Sequence, residues 1–183
     1  AFEIKEGAGP WGSSVNLLLA SIPATIDVRL KATANANSYS GTIISISGGG
    51  ATTITVDIAN STVNKKALTI TAPTIAPKVY NGSTAAGVIT AGTLSGFVGT
   101  ETVVATPAAT AYSSANVGSA YSSTVSYTLA DGTNGGLAAN YSAPADDNLT
   151  NLSITAKTIT ISDSVDNIAI AVHWNSTHLW SIV

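Results

Sequence analysis

The sequence predicts an all-β protein, with two tandem β-sandwich (Ig-like) or β-grasp-like domains followed by a strand-forming C-terminal tail. Apolar and polar residues alternate with a period of two along much of the chain, and no long stretch repeats apolar residues at helical spacing. Serine and threonine make up about a quarter of the 183 residues. Threonine favours strands and serine favours turns. Turn signals separate the alternating segments at intervals that are typical of β-sandwiches.

Three segments, 26–32, 53–58 and 125–129, show the alternation most clearly. Each is predicted to be a strand with one face toward a core and the other toward water. Three consecutive glycines at 48–50 lie between two strand-like segments and predict a hairpin loop.

A repeated strand-like phrase indicates the domain organisation. The sequence KALTIT at 66–71 recurs as KTITIS at 157–162, an offset of 91 residues. That offset is about the length of one small domain, which is typical of modules arranged in series. We therefore predict a first domain over 1–64, a second over 65–162 and a tail over 163–183.

The composition excludes several classes of function. Only 9% of the residues are charged and the net charge is −3, so nucleic acid is not an expected partner. The chain contains no cysteine, which rules out disulfides and thiolate metal sites. No apolar run approaches the roughly 18 residues that indicate a membrane span, so none is predicted.

Few residues suggest catalysis or metal binding. His173 and His178 have no zinc-binding spacing around them, and no G-x-S-x-G elbow occurs. The sequence therefore predicts no enzyme and no cofactor. Calcium at the acidic pairs 146–147 and 163/166 stays open beside plain solvation of these loops. Aromatic residues could stack on sugars, but packing is the alternative, and Tyr80 is interpreted as a core anchor.

The second domain carries motifs of a known family. Lys78-Val79-Tyr80-Asn81-Gly82-Ser83-Thr84 closely resembles the K-V-Y-D-G-T-T signature of YDG/MBG-type modules, which occur in surface adhesins and secreted repeat proteins of Bacteroidetes-like bacteria. Segments 114–118 and 140–142 are similar to that family's "NVG" and "NY" segments. The resemblance covers about 66–156. Asn81 stands where the family usually has Asp, so a role that needs this carboxylate is not expected here.

The first domain resembles a different fold. Segments 1–4, 13–17, 26–32 and 38–43 are similar to an Ig/fibronectin-like sandwich that begins at a middle strand. The resemblance therefore implies an incomplete sandwich without its first two or three strands. Such a domain would expose unpaired backbone groups along an edge, which invites a strand from another chain.

The tail offers a candidate donor strand. Its apolar residues Ile168, Ile170, Val172 and Trp174 alternate with other residues. We hypothesise that the tail pairs with the first domain of another copy and joins copies head to tail. The alternative is a tail that folds back on its own module. Ser164 lies in a D-S-aliphatic triplet that resembles an O-glycosylation motif of exported Bacteroidetes proteins.

These observations predict a non-enzymatic, extracellular or cell-surface structural or adhesive protein, with filament formation by donor-strand complementation as its mechanism. The alternative is an adhesin module of a large bacterial surface protein that binds a host or matrix glycan or protein. A third reading, an accessory domain of a hydrolase, depends only on the proteins in which such modules occur.

Overall fold

The computed structural model describes residues 1–18, 22–160, 172–173 and 181–182, and the chain is all-β, as predicted. Four strands form the N-terminal segment, residues 1–63: β1 (Phe2–Glu6), β2 (Ile26–Leu30), β3 (Asn37–Gly48) and β4 (Ala51–Val63). They pair as two separate two-stranded antiparallel sheets, β1 with β2 and β3 with β4.

The β1–β2 sheet carries a ladder of opposite charges. Arg29 Nε lies 2.6 Å from Glu3 Oε1, and Lys5 Nζ lies 3.5 Å from Asp27 Oδ2. The register places both pairs directly across from each other. Trp11 lies against this ladder, with its ring centroid 4.0 Å from Arg29 Cζ and 5.1 Å from Lys5 Nζ. The tryptophan therefore packs on cations of the β1–β2 sheet.

The β3–β4 sheet is a long hairpin whose turn contains the predicted glycines at 48–50. All three have positive φ angles (144°, 59° and 77°), which glycine adopts without steric cost. Ile44 faces Val56 and Ile46 faces Ile54 across the strands, so one face is aliphatic. Ile46, Ile54 and Val56 remain 51%, 62% and 43% exposed. This aliphatic face has no cover in the chain as described.

None of the residues described between 1 and 63 is buried. A sandwich buries apolar side chains between two facing sheets, whereas these two sheets share no strand pairing. This arrangement does not confirm the incomplete Ig-like sandwich expected over 1–64, which stays a prediction. The structure shows two amphipathic hairpin-like sheets there, with every described side chain in partial or full contact with solvent.

The following module, residues 64–160, is built from ten strands in the described residues, and its largest sheet has four of them. The strands are β5 (Lys66–Ala67), β6 (Thr69–Ile70), β7 (Thr74–Ile75), β8 (Lys78–Val79), β9 (Ile89–Thr90), β10 (Leu94–Ser95), β11 (Val103–Ala109), β12 (Gly118–Asp131), β13 (Tyr141–Ser142) and β14 (Asp147–Thr155). The four-stranded sheet has the order β11-β12-β14-β8; only the β14–β8 pair is parallel. A 3-10 turn, Ala138–Asn140, precedes β13.

A bent antiparallel ladder forms the second layer of the module. The strand pairs β6–β10 and β7–β9 have the same register. Hydrogen bonds from Thr71 N–H to Thr93 O and from Ala76 N–H to Val88 O continue the same ladder. The bend brings backbones very close. A Cβ at Gly92 would lie 1.7 Å from the carbonyl oxygen of Thr71, so this position requires glycine.

Two hydrophobic clusters hold the layers together. One joins Leu68, Val103 and Tyr141. The other centres on Val125, which is fully buried, with Ile75. The alternation predicted over 125–129 is confirmed, because Val125 and Tyr127 are buried and Ser126 and Thr128 are exposed.

The tail is described only at two short strands. β15 (Val172–His173) pairs antiparallel with β16 (Ser181–Ile182). Val172 of the candidate donor strand is thus paired with Ile182. Ser164, Ile168, Ile170 and Trp174 lie outside the described residues. In the described part of the chain, no helix is long and apolar enough to cross a membrane.

Candidate functional site: the signature turn and a hydroxyl-lined groove

The signature segment 78–84 lies at the edge of the four-stranded sheet. Lys78 and Val79 form β8 and pair in parallel with Ile154 and Thr155 of β14. The N–H of Tyr80 donates to the carbonyl of Thr155 at 2.8 Å and extends this pairing by one residue. The chain then turns away from the sheet at Asn81.

Side-chain to backbone hydrogen bonds shape the turn. Asn81 Oδ1 accepts from the N–H of Ser83 at 3.1 Å, and Ser83 Oγ accepts from the N–H of Ala85 at 3.2 Å. Gly82 between them has a φ of 76°. Asparagine, serine and glycine each favour such turns, so the signature is locally consistent with its conformation.

Lys78 ties the two ends of the turn together. Its Nζ donates to the carbonyls of Ser83 (2.5 Å) and Ala85 (2.8 Å) and lies 3.4 Å from Ser83 Oγ. The ammonium group therefore satisfies the hydrogen bonding of two backbone carbonyl groups in its own loop. Its contacts give the signature lysine a structural role in this chain.

The prediction that Tyr80 is a core anchor is wrong. Tyr80 is 42% exposed, because it extends the edge strand β8 and leaves the sheet before any second layer covers it. The buried aromatic residue at this turn is Tyr112, which is 3% exposed. Its N–H donates to the carbonyl of Thr84 at 2.7 Å, and its hydroxyl accepts from the N–H of Gly87 at 3.2 Å.

Tyr112 also stacks on Tyr121, with ring centroids 5.2 Å apart and planes within 9° of parallel. The Tyr121 hydroxyl donates to the carbonyl of Asn116 at 2.7 Å. This tyrosine pair fixes the segment 110–118 against the first half of β12. Sequence reasoning missed Tyr112, because its hydrogen-bonding partners Thr84 and Gly87 are more than 20 residues away along the chain.

A groove of about 450 Å³ opens beside this tyrosine pair. It lies where β11 has ended and segments 110–113, 122–124 and 148–150 meet. In the described part of the chain, its lining contains hydroxyl, amide and aliphatic groups and no charged side chain: Thr110, Ala111, Ser113, Ser122, Ser123, Thr124, Asn148, Leu149 and Thr150.

Hydrogen bonds hold the floor of the groove in place. Ser123, 4% exposed, donates from Oγ to the carbonyl of Thr110 at 2.7 Å. Thr110 Oγ1 accepts from the N–H of Thr124 at 2.9 Å, and Thr124 Oγ1 donates to Asn148 Oδ1 at 2.7 Å. These bonds link all three segments that line the groove.

The acidic residue Asp147 has a hydrogen-bonding partner. Tyr127 donates from its hydroxyl to Asp147 Oδ2 at 2.6 Å. Burial, and then this hydrogen bond, raises the pKa of Tyr127 to about 12. Within the described residues, no three histidine, aspartate or glutamate side chains converge where a metal ion could be held. Asp163 and Asp166 lie outside the described residues, and only the strand pairing of His173 is described.

Asn140 connects the module to the N-terminal segment. Its Oδ1 accepts from the N–H of Ala36 at 2.8 Å, and its Nδ2 donates to Asn35 Oδ1 at 3.1 Å. The next residue, Tyr141, is 1% exposed and donates to Glu101 Oε2 at 2.6 Å. The "NY" segment therefore contacts the N-terminal segment through Asn140 and the core of the module through Tyr141.

Comparison with known proteins gives one match, to a family model. Residues 64–150 match the family model of the YDG domain. This match confirms the resemblance carried by the signature at 78–84 and the segments at 114–118 and 140–142. No curated protein and no solved structure matches the chain.

Proposed function

We propose that this chain, whose residues 64–150 form a YDG domain, is a non-enzymatic structural or adhesive module of an extracellular or cell-surface protein. One observation carries the proposal. Within the described residues, the N-terminal segment presents an uncovered aliphatic sheet face beside a module that has its own core. A surface of this kind gains stability when another chain covers it.

The proposed mechanism is the addition of a strand from a second copy. Among the residues that the structure describes, the β3–β4 sheet has two strands, so the outer edge of each strand offers backbone groups for pairing. Adding a strand there would form main-chain hydrogen bonds and cover the face formed by Ile46, Ile54 and Val56.

The C-terminal tail is the proposed donor. In the sequence, Ile168, Ile170 and Val172 recur at every second position, which would place them on one face of a strand. An apolar strand face of this kind complements the uncovered aliphatic face of β3–β4. Because donor and acceptor lie at opposite ends of the chain, the contact is heterologous and joins copies head to tail.

Sedimentation velocity of the full chain tests this mechanism. We expect concentration-dependent oligomers that dissociate when residues 164–183 are deleted or when Ile54→Lys places a charge on the aliphatic face. Thr55→Lys changes the opposite face of the same strand and is the matched control, with oligomers retained. Oligomers that persist after the deletion, or that Thr55→Lys disrupts as strongly as Ile54→Lys, would contradict the mechanism.

The second candidate function is binding of a glycan or a protein by the YDG domain itself. The hydroxyl-lined groove favours this candidate, because it is concave and offers uncharged polar groups. Binding to a glycan array by the full chain tests it independently of self-association.

A further inference from the structure

A β-bulge in β14 lies at the groove, opposite Ser122 of β12. Tyr121 pairs with Leu152 and Ser123 with Leu149, so two residues of β14 lie opposite Ser122 alone. These two residues are Thr150 and Asn151, and Asn151 has a φ of 59°. Bulges often occur next to binding sites, because the extra residue redirects side chains away from the regular ladder.

Several polar groups at the groove are unused by the protein. In the described part of the chain, the hydroxyls of Ser113, Ser122 and Thr150 make no hydrogen bond. Asn148 accepts through Oδ1 from Thr124, whereas its Nδ2 makes no hydrogen bond to the residues that the structure describes. The groove thus combines an internally bonded floor with hydroxyl and amide groups that remain available to a ligand.

The lining selects for an uncharged ligand. Recognition of a carboxylate or phosphate normally uses arginine or lysine, and recognition of a cation uses carboxylates. Among the described residues, none of these side chains lines the groove. Hydroxyl groups both donate and accept, so they match a ligand that itself carries many hydroxyl groups.

The size and rigidity of the groove also fit such a ligand. Its volume of about 450 Å³ lies within the roughly 300–1,000 Å³ that is usual for small-molecule sites. Tyr112 and Tyr121 stack on each other and fix the backbone next to Ser113 and Ser122. A lining that is already ordered loses less conformational entropy on binding.

We propose that this groove binds a neutral carbohydrate chain through Ser122, Asn148 and Thr150. This inference gives a site and a ligand class to the second candidate function and rests on that candidate. It is independent of head-to-tail pairing.

Nuclear magnetic resonance titration of the full chain with neutral oligosaccharides tests the proposal. Maltohexaose, cellohexaose, xylohexaose and mannohexaose are the probes, and an oligogalacturonate is the acidic comparison. We expect at least one neutral probe to shift the amide resonances of Ser113, Ser122 and Thr150 saturably. The acidic chain should bind more weakly than that probe, because the lining offers it no cation.

Thr150→Val removes one groove hydroxyl and should weaken binding of that probe about three- to tenfold, as expected for loss of one neutral hydrogen bond. Thr128→Val is the matched control, since Thr128 is exposed on β12, faces Thr106 and lies outside the groove lining. Its affinity should equal that of the unchanged chain.

Three results would overturn the proposal: no groove shift with any neutral probe, equal weakening by both valine variants, or tighter binding of the acidic chain. The oligomeric state of each sample is measured in parallel by sedimentation. A groove that binds sugar in a chain without oligomers would contradict head-to-tail pairing and leave this inference supported. Oligomers without sugar binding would contradict this inference and leave head-to-tail pairing supported.

Discussion

The hydroxyl of Tyr127 donates a 2.6 Å hydrogen bond to Oδ2 of Asp147 and joins the second half of β12 to the first residue of β14. Tyr127 is 8% exposed and packs in the same cluster as Val125. The contact therefore links a core side chain to a carboxylate at the edge of the core. It gives Asp147 a structural role within the module of residues 64–160.

The first prediction is a loss of stability at high pH. The pKa of Tyr127 rises from 10.0 to about 12 in the folded chain, first because of burial and then because of Asp147. The folded state therefore holds this proton more tightly than the unfolded state. Its contribution is complete below pH 10 and falls as pH rises from about 10 to about 12. Urea unfolding at a series of alkaline pH values measures this slope.

Tyr127→Phe identifies the source of the slope. It removes the titrating group, so stability should fall less steeply with alkaline pH than in the unchanged chain. A remaining slope is expected from Tyr141, whose pKa is raised by its hydrogen bond to Glu101 and by burial. An unchanged slope in Tyr127→Phe would show that the Tyr127–Asp147 contact does not govern the pH dependence.

The second prediction concerns the signature lysine. Lys78→Met keeps the aliphatic stem and removes the donor to the carbonyls of Ser83 and Ala85. We expect the free energy of unfolding to fall by about 1–2 kcal/mol, since hydrogen bonds from a charged donor are lost. Urea unfolding at neutral pH measures the change.

Lys66→Met is the matched control for Lys78→Met. Lys66 Nζ makes a single 3.4 Å contact to the carbonyl of Phe97, and Lys66 is exposed. Its replacement should change stability by less than about 0.5 kcal/mol. Equal losses in both variants would mean that the bridge over the signature turn contributes no more than a surface lysine.

Part of the fold was predictable because local sequence patterns determine where these strands and turns lie. The glycines at 48–50 mark the hairpin turn through positive φ angles, and the alternation at 125–129 identifies a strand with a buried face. The exposure of Tyr80 was not predictable, because it depends on which strand lies at the sheet edge. That position follows from the parallel pairing of β8 with β14, which is more than 70 residues away along the chain.

The groove was also beyond the reach of the sequence pattern. Ser122, Asn148 and Thr150 come from different segments, and serine and threonine are abundant throughout the chain. Only the bulge in β14 and the end of β11 bring these groups together around a cavity. A composition rich in hydroxyl groups gives no indication of which hydroxyls converge.

The third prediction concerns the link between the two parts of the chain. Asn140→Ala removes both the acceptor for the N–H of Ala36 and the donor to Asn35. We expect faster hydrogen exchange at the amide of Ala36, because this amide loses its partner. Exchange measured residue by residue at neutral pH reports this change, and the amide of Val125 in the core should keep its protection.

Asn116→Ala is the control for the Asn140 link. The side chain of Asn116 makes no hydrogen bond in the described part of the chain, whereas its backbone groups contact Ser114 and Tyr121. Exchange at Ala36 should be unchanged in this variant. Slow exchange at Ala36 in both variants would show that Asn140 does not protect this amide.

The fourth prediction is spontaneous deamidation of the signature turn at Asn81. The backbone nitrogen of Gly82 attacks Cγ of Asn81, ammonia leaves, and water opens the resulting succinimide to aspartate or isoaspartate. Asn81 is exposed, and within the described residues no heavy atom beyond Gly82 and its two chain neighbours lies within 4 Å of the position that a Cβ of Gly82 would occupy. The Ser83 N–H polarises the carbonyl under attack by donating to Oδ1 at 3.1 Å.

Asn134-Gly135 provides an internal comparison in the same chain. Both asparagines are exposed, and both glycines have positive φ angles, 76° and 83°. Asn134 differs because its Nδ2, the leaving group, donates to the carbonyl of Thr100 at 2.9 Å. We therefore expect Asn81 to convert first during incubation in mildly alkaline buffer, as measured by mass spectrometry of proteolytic peptides. Earlier conversion of Asn134 would contradict this order, and Asn81→Gln should abolish the early product because its longer side chain disfavours the cyclic intermediate.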